Sequence, residues 1–273
     1  YQQRADLLRK VASLMRAKKT ALAKTITLEM GKLLAQAEGE IDLSANILDY
    51  YADNGEAFLA DKVLDPEYGT AIIRNSPIGT LLGVMPWNFP FYQVVRFAAP
   101  NIMVGNTILL KHASNVPQCA TAIEEIFEEA EAPKGLYTNL FISGKRASAL
   151  VSDKRIKGVS LTGSEEAGAS VAIEAGKHLK KVVLELGGND AFIILEDADL
   201  EKTVEWAVVG RMNNNGQSCI ASKRFIAVEA IADEFIQKFK GALSKLKLGD
   251  PMDPATQLGP LSSEGAAEHL ADQ

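Results

Sequence analysis

Apolar residues recur at helical spacing at the start of the chain. They lie between Arg and Lys residues, which makes this an amphipathic helix, and its apolar face consists of Leu7, Leu8, Val11, Leu14, Met15 and Leu22. The same spacing predicts a second helix from Leu34 to Leu59. The residues Pro66, Tyr68 and Gly69 then end the helical pattern.

From residue 70 onward, short β-branched runs alternate with helical stretches. Strands are predicted over 70–75 and 80–85, around Ser76-Pro77-Ile78-Gly79, and then over 107–111, 137–142, 158–161, 181–185, 191–195 and 223–228. The intervening helices are predicted from Pro90 to about Gly105 and over 118–130, 147–151, 165–176, 200–212 and 230–246. Strands that alternate with helices form βαβ units, so we predict an α/β fold with a parallel sheet. We place a domain boundary near Asp190, which divides the chain into residues 1–189 and 190–273.

Composition excludes several classes of function. The 273 residues carry 29 Lys and Arg against 35 Asp and Glu, a net charge of −6, so nothing favours binding to nucleic acid or to an anionic membrane surface. The apolar stretches are too short to cross a membrane, and no signal-peptide pattern is visible. Two cysteines are too few for a disulfide framework and fit a reducing compartment. We therefore expect a cytoplasmic protein.

The ends of the sequence suggest that residues are missing. The first residue is Tyr1 rather than Met, and the sequence opens within a helical pattern. The last residues, 266–273, resemble a helix that is cut short.

Two segments contain the residue types that thiolate chemistry needs. Cys219 follows a turn of small polar residues, 213–216, which would expose its sulfur. Glu185 ends a β-branched run and precedes Gly187 and Gly188, so its carboxylate is expected to face a ligand. A thiolate nucleophile needs a nearby base, which makes the two residues a candidate pair. The alternatives are a buried, inert Cys219 and a Glu185 that forms an ion pair; Cys119, without such a setting, is interpreted as structural.

Polar residues follow other predicted strands, where an open parallel sheet binds its ligands. Lys111-His112-Ala113-Ser114 ends one strand, and Thr162-Gly163-Ser164 ends another and opens a helix whose free N–H groups favour a pyrophosphate. Ser164 is equally consistent with a simple helix cap, Lys111 with a solvated charge and His112 with a packed, hydrogen-bonded residue. No spacing of His and Cys residues resembles a metal site.

Four segments resemble, in order, the motifs of the aldehyde dehydrogenase superfamily. They are Pro86-Trp87-Asn88-Phe89-Pro90, Thr162-Gly163-Ser164, Leu184-Glu185-Leu186-Gly187-Gly188 and Gly216-Gln217-Ser218-Cys219. The resemblance implies N-terminal helices, a hairpin and a Rossmann-like NAD(P)-binding domain in residues 1–189, and the first part of an α/β catalytic domain in 190–273. Known members continue well past this C-terminus, so we expect a homo-oligomer only for the full-length protein.

The resemblance also implies roles for individual residues. Cys219 would attack an aldehyde to give a thiohemiacetal, with the Asn88 side-chain amide and the Cys219 backbone N–H as the oxyanion hole. Loss of hydride to the cofactor would leave a thioester, and Glu185 would be the general base that activates Cys219 or the hydrolytic water. The implied cofactor contacts are Trp87, Asn88, Lys111, His112, Ala113, Ser114, Gly163, Ser164 and Leu186.

Two positions refine the resemblance. Many members that prefer NAD have Glu where Ser114 stands, and a neutral Ser114 near Lys111 favours NADP, or use of both cofactors. Arg96 occupies the place where succinate-semialdehyde dehydrogenases carry an arginine that binds the substrate carboxylate. We therefore expect a bacterial type of succinate-semialdehyde dehydrogenase. The alternatives are a dehydrogenase of another short aldehyde, a nucleotide-binding fragment without turnover and, for Arg96 alone, a surface ion pair.

Overall fold

A computed structural model describes all 273 residues of the chain. Three helices open it: α1 (Gln2–Ala17), α2 (Lys19–Met30) and α3 (Leu34–Leu59). The third has the bounds that the sequence predicts, whereas the first predicted helix is divided in two at Lys18. Gly31 ends α2 in the left-handed conformation, with φ of 80°. A side chain there would meet the Pro260 carbonyl oxygen at 2.7 Å, so only glycine fits this corner.

A short antiparallel hairpin follows the helices. It pairs β1 (Lys62–Leu64) with β2 (Ala71–Ile73), and Val63 lies opposite Ile72. The sequence pattern misses β1, because this strand has only three residues and all of them are exposed. The strand predicted over 80–85 follows β2 in the sequence, but it does not pair with β2. It pairs with strands that lie further along the chain.

That strand, β3 (Thr80–Met85), is the centre of a five-stranded parallel sheet. The others are β4 (Thr107–His112), β5 (Tyr137–Asn139), β6 (Ile156–Thr162) and β7 (Lys181–Glu185), in the order β5-β4-β3-β6-β7. The parallel α/β sheet that the sequence predicts is confirmed. The carboxyl ends of these strands meet at one edge, where the candidate site lies.

Helices cover both faces of this sheet. The helices that follow its strands are α4 (Tyr92–Val104), α5 (Pro117–Glu129), α6 (Gly144–Val151) and α7 (Glu165–Lys177). The larger core joins the three N-terminal helices, α4 and α5 to one face, through residues such as Leu81 and Ile108. A smaller core lies on the other face, where Leu82 and Val159 pack against Val171 of α7.

Past Gly188 the chain forms a separate two-stranded parallel sheet, made of β8 (Asp190–Ile194) and β9 (Ser222–Ala227). The helix between them, α8 (Leu200–Met212), has the predicted bounds and leads into a 3-10 turn, Asn213–Gly216. The remaining helices are α9 (Glu229–Ser244) and α10 (Glu264–Asp272). Strand pairing changes close to the predicted boundary at Asp190, and the division into two domains stays a prediction. None of the helices combines the length and the apolar character that crossing a membrane requires.

Candidate active site

The turn before Cys219 has an unusual backbone. Asn214, Asn215 and Gly216 are all left-handed, with φ of 55°, 56° and 77°. Asparagine tolerates this region better than other residues with a side chain, because its short amide forms local hydrogen bonds. Three left-handed residues reverse the chain between α8 and β9. They bring Cys219 back to the edge of the larger sheet.

Hydrogen bonds join this turn to the segment that follows β3. Asn88 Nδ2 donates to the Gln217 carbonyl oxygen at 3.0 Å, and Asn214 Nδ2 donates to the Asn88 carbonyl oxygen at 2.9 Å. A primary amide has two N–H donors, so the Asn88 side chain keeps one for another acceptor. The Asn88 Oδ1 atom is buried without a partner. The structure thus brings Asn88 and Cys219, two of the three predicted catalytic residues, to one place.

The two cysteines lie in different environments. Cys219 is half-buried and lines a cavity of about 330 Å³, together with Trp87, Asn88, Arg211 and His269. Cys119 is fully buried in the larger core, and its backbone N–H donates to the Glu29 carboxylate at 2.9 Å. Burial, reinforced by Glu29, raises the pKa of the Cys119 thiol far above its usual range. Of the two thiols, only Cys219 is open to a ligand.

Glu185 lies at the end of β7, outside the cavity that contains Cys219. Its side chain is 55% exposed, and its Oε2 atom is 3.9 Å from Arg96 Nη2. Arg96 also approaches Thr162 Oγ1 at 3.4 Å, and these three residues line a second cavity, of about 390 Å³. Because β7 is two strands away from β3, Glu185 lies about 10 Å along the sheet edge from the strand that leads to Asn88. The predicted substrate residue and the predicted base therefore line one cavity, and the predicted nucleophile lines another.

A third cavity lies at the ends of β4 and β5. It measures about 330 Å³ and is lined by His112, Ala113 and Ser114 together with Asn139. Both ring nitrogens of His112 have hydrogen-bond partners. Nε2 contacts the Pro90 carbonyl oxygen at 2.9 Å, and Nδ1 accepts from the Ala113 N–H at 2.9 Å. Burial lowers the pKa of His112 to about 4, so the ring is neutral at physiological pH and donates through Nε2.

The remaining predicted cofactor residues have visible structural roles. Ser164 is the N-cap of α7, and its hydroxyl accepts from the Ala167 N–H at 3.3 Å. Leu186 packs so closely on Gly168 that a side chain at that position would meet Leu186 Cδ2 at 2.6 Å. Gly163 donates its N–H to the Glu185 carbonyl oxygen at 3.0 Å. Lys111 is partly buried at the end of β4, and desolvation lowers its pKa.

Two charged residues near the site carry no signal in the sequence. Lys32 and Glu40 form a buried ion pair whose hydrogen bonds reach the segment after β3. Their spacing in the sequence matches no catalytic or binding motif, so no local signal identifies them. No group of three or more His, Cys, Asp or Glu side chains is arranged to hold a metal ion.

Comparison with known protein families identifies the family of this chain. The family model described as "Aldehyde dehydrogenase family" matches residues 1–273. The chain belongs to the aldehyde dehydrogenase family. The match agrees with the resemblance that the four segments carry, and the roles of their residues stay predictions.

Relatives within the aldehyde dehydrogenase family are similar over nearly the whole chain. A protein of Deinococcus radiodurans named succinate-semialdehyde dehydrogenase [NADP(+)] is 52% identical over 99% of this chain and 57% of its own length. A Synechocystis protein named probable succinate-semialdehyde dehydrogenase [NADP(+)] is 51% identical over 96% of this chain and 58% of its own length. The crystal structure of succinic semialdehyde dehydrogenase from Streptococcus pyogenes in complex with NADP⁺ superposes with a TM-score of 0.97 at 47% identity, over 99% of this chain and 60% of that one. This chain thus spans a little over half the length of the proteins that it matches.

The environments of the two cysteines lead to a test on the chain itself. We expect iodoacetamide to alkylate one thiol of the native protein, Cys219, and both thiols after denaturation, because Cys119 is buried and its pKa is raised. Mass spectrometry of the intact protein counts the adducts. The variant Cys219→Ser should gain none in the native state, and rapid native labelling of Cys119 would contradict the assignment.

Proposed function

We propose that the protein containing this chain oxidises succinate semialdehyde to succinate with NADP. The observation that carries the proposal is the pairing of Asn88 with the turn before Cys219, next to a cavity that admits a small molecule. The names of the relatives supply the substrate class and the cofactor. The reaction is proposed for the whole protein, since this chain spans only 57% of the length of the Deinococcus radiodurans relative.

The proposed mechanism is covalent. The Cys219 thiolate adds to the aldehyde carbon, and the free N–H of the Asn88 amide stabilises the resulting oxyanion. The nicotinamide cofactor, when bound, accepts a hydride. The substrate is then held on Cys219 as a thioester, and a water molecule, whose proton passes to Glu185, replaces the sulfur. Glu185 and Cys219 line different cavities, and in this role Glu185 acts on the water molecule and not on the sulfur.

The cavity at the ends of β4 and β5 supports the cofactor assignment. Ser114 presents a hydroxyl and no carboxylate there, so nothing at this position repels the 2′-phosphate of NADP. Lys111, at the end of the same strand, adds a positive charge nearby. The side-chain nitrogens of His112 bond to the backbone, so we assign this residue a supporting role in the shape of the cavity.

Arg96 supports the substrate class less directly. Its guanidinium lines a cavity of suitable size, and Arg can hold a carboxylate through two hydrogen bonds. The carboxylate next to it in the structure is that of Glu185, at 3.9 Å. That pairing favours a second candidate, a dehydrogenase of another short aldehyde in which Arg96 serves to orient Glu185.

The remaining features of the whole protein belong to the same proposal. We assign residues 1–189 to the cofactor domain and 190–273 to the start of the catalytic domain, in line with the change of sheet near Asp190. We further propose a cytoplasmic homo-oligomer with no nucleic-acid or membrane partner. A nucleotide-binding fragment without turnover stays the alternative for this chain on its own.

The first test is a panel of aldehydes and cofactors with the gene-encoded protein. We expect reduction of NADP, followed by absorbance, with succinate semialdehyde as the best substrate. Cys219→Ala should reduce turnover to the background rate and leave nucleotide affinity unchanged, because only the covalent step is lost. Cys119→Ala is the matched control and should retain activity. An active Cys219→Ala variant would refute the mechanism.

A second test addresses the cofactor. Ser114→Glu introduces a carboxylate next to the expected position of the 2′-phosphate, so KM for NADP should rise about tenfold or more while KM for NAD changes little. Steady-state kinetics with each cofactor measure the difference. The control is Ser170→Glu, which adds the same charge at an exposed position of α7 outside this cavity and should change neither KM. Equal effects on the two cofactors would mean that Ser114 does not face the adenosine ribose.

A third test distinguishes the two roles of Arg96. If Arg96 binds the substrate carboxylate, Arg96→Ala should lower kcat/KM for succinate semialdehyde at least about tenfold and for butyraldehyde hardly at all. If it orients Glu185 instead, both specificity constants should fall together. Arg155→Ala, which removes an exposed arginine paired with Asp153, is the control and should change neither constant.

A further inference from the structure

A fully buried ion pair lies behind the candidate site. Lys32 follows the glycine corner after α2, and Glu40 lies in the second turn of α3. Each side chain is only 1% exposed, and the ammonium group bonds directly to the carboxylate. Burial lowers the pKa of Lys32, and the nearby Glu40 carboxylate acts in the opposite direction. Buried pairs of this kind add little net stability, because desolvation of two charges offsets their attraction.

Both partners use their remaining hydrogen-bonding capacity on one short segment, residues 88–92. Lys32 Nζ donates to the Asn88 carbonyl oxygen at 2.9 Å and lies 3.8 Å from the centre of the Phe89 ring. Glu40 Oε1 accepts from the Phe91 N–H at 2.8 Å and from the Tyr92 N–H at 3.1 Å. Helix α4 has no side-chain cap of its own. Glu40, which lies in α3, therefore caps the start of α4. Lys32 bonds to Asn88, which lies before α4 in the same turn.

The same segment carries the amide that faces the cysteine turn. The Asn88 carbonyl oxygen accepts from Lys32 and also from Asn214, while the Asn88 side chain donates to Gln217. Rotation of this peptide group would move the side-chain amide away from the Cys219 turn. The Lys32–Glu40 pair stabilises the fold little, but it holds the Asn88 peptide group. It is therefore suited to orienting the Asn88 side chain.

We propose that Lys32 and Glu40 are positioning residues, which hold the 88–92 turn so that the Asn88 amide stays directed at the Cys219 site. The catalytic consequence rests on the proposed function. The positioning itself can be measured without turnover. The competing explanation is that the pair serves only to pack α2 and α3 together.

The key variant is Lys32→Met/Glu40→Gln, tested in the gene-encoded protein. It removes both charges, keeps an amide oxygen for the Phe91 and Tyr92 N–H groups, and deletes the donor to Asn88. The matched control is Lys19→Met/Asp42→Asn, which removes an ion pair between α2 and α3 whose side chains are 37% and 45% exposed and line none of the three cavities. Each variant is measured for kcat, for KM of aldehyde and cofactor, and for its thermal midpoint.

Positioning predicts that kcat of the key variant falls on the order of tenfold to a hundredfold, since small displacements of a catalytic group have effects of this size. Both KM values should stay within about twofold and the thermal midpoint should match that of the control. Retention of kcat would overturn the proposal. A loss of kcat that merely parallels a loss of thermal stability would overturn it as well.

A measurement on the unmodified protein covers the case in which the key variant does not fold. The Phe91 and Tyr92 amides should exchange with solvent deuterons at least tenfold more slowly than the first-turn amides of α9, which also lacks a side-chain cap. Equal exchange rates would overturn the proposal. If the unmodified protein oxidises no aldehyde, the proposed function fails, while the exchange rates still decide whether the pair holds the turn.

Discussion

The site depends on the hydrogen bonds that join a buried left-handed turn to distant parts of the chain. Two successive left-handed asparagines cost on the order of 1 kcal/mol or more each. Asn215 Nδ2 donates to the Gly31 carbonyl oxygen at 2.8 Å, and its Oδ1 accepts from the Gly259 N–H at 2.9 Å. The Asn214 backbone N–H donates to Gln36 Oε1 at 3.2 Å. The turn before Cys219 is thus held by residues near both ends of the chain.

This arrangement makes the corner between α2 and α3 part of the site. Gly31 accepts the bond from Asn215, and the next residue, Lys32, donates to Asn88. One corner therefore contacts both the cysteine turn and the segment that faces it. Gly31 also packs directly against Pro260. Displacement of this corner would therefore disturb the cysteine turn, the segment around Asn88 and the segment around Pro260 together. The N-terminal helices support the relative geometry of Asn88 and Cys219 as well as the core.

The sheet edge separates the chemistry into distinct places. Cys219 lines one cavity, Glu185 and Arg96 line a second, and Ser114 lines a third. An aldehyde dehydrogenase needs the thiol and the base to act on the same carbon at different steps. Hydrolysis can follow acylation through water, so the base need not touch the sulfur. The separation is compatible with a two-step reaction in which Glu185 acts on the second step.

Local signals along the chain predict several elements of the fold and of the candidate site. The bounds of α3 and α8 follow from apolar periodicity, the parallel sheet from the alternation of strands and helices, and the candidate catalytic residues from the short motifs that contain them. Features that depend on distant partners become apparent only in the folded chain. The exposed three-residue β1 has no pattern of its own, and the break at Lys18 interrupts an apolar stripe that is otherwise continuous. The bond from Asn215 to Gly31 joins residues 184 positions apart, and the Lys32–Glu40 pair acts on a turn that lies beyond α3 and the hairpin. Such contacts arise from packing between elements, and no periodicity or spacing along the chain encodes them.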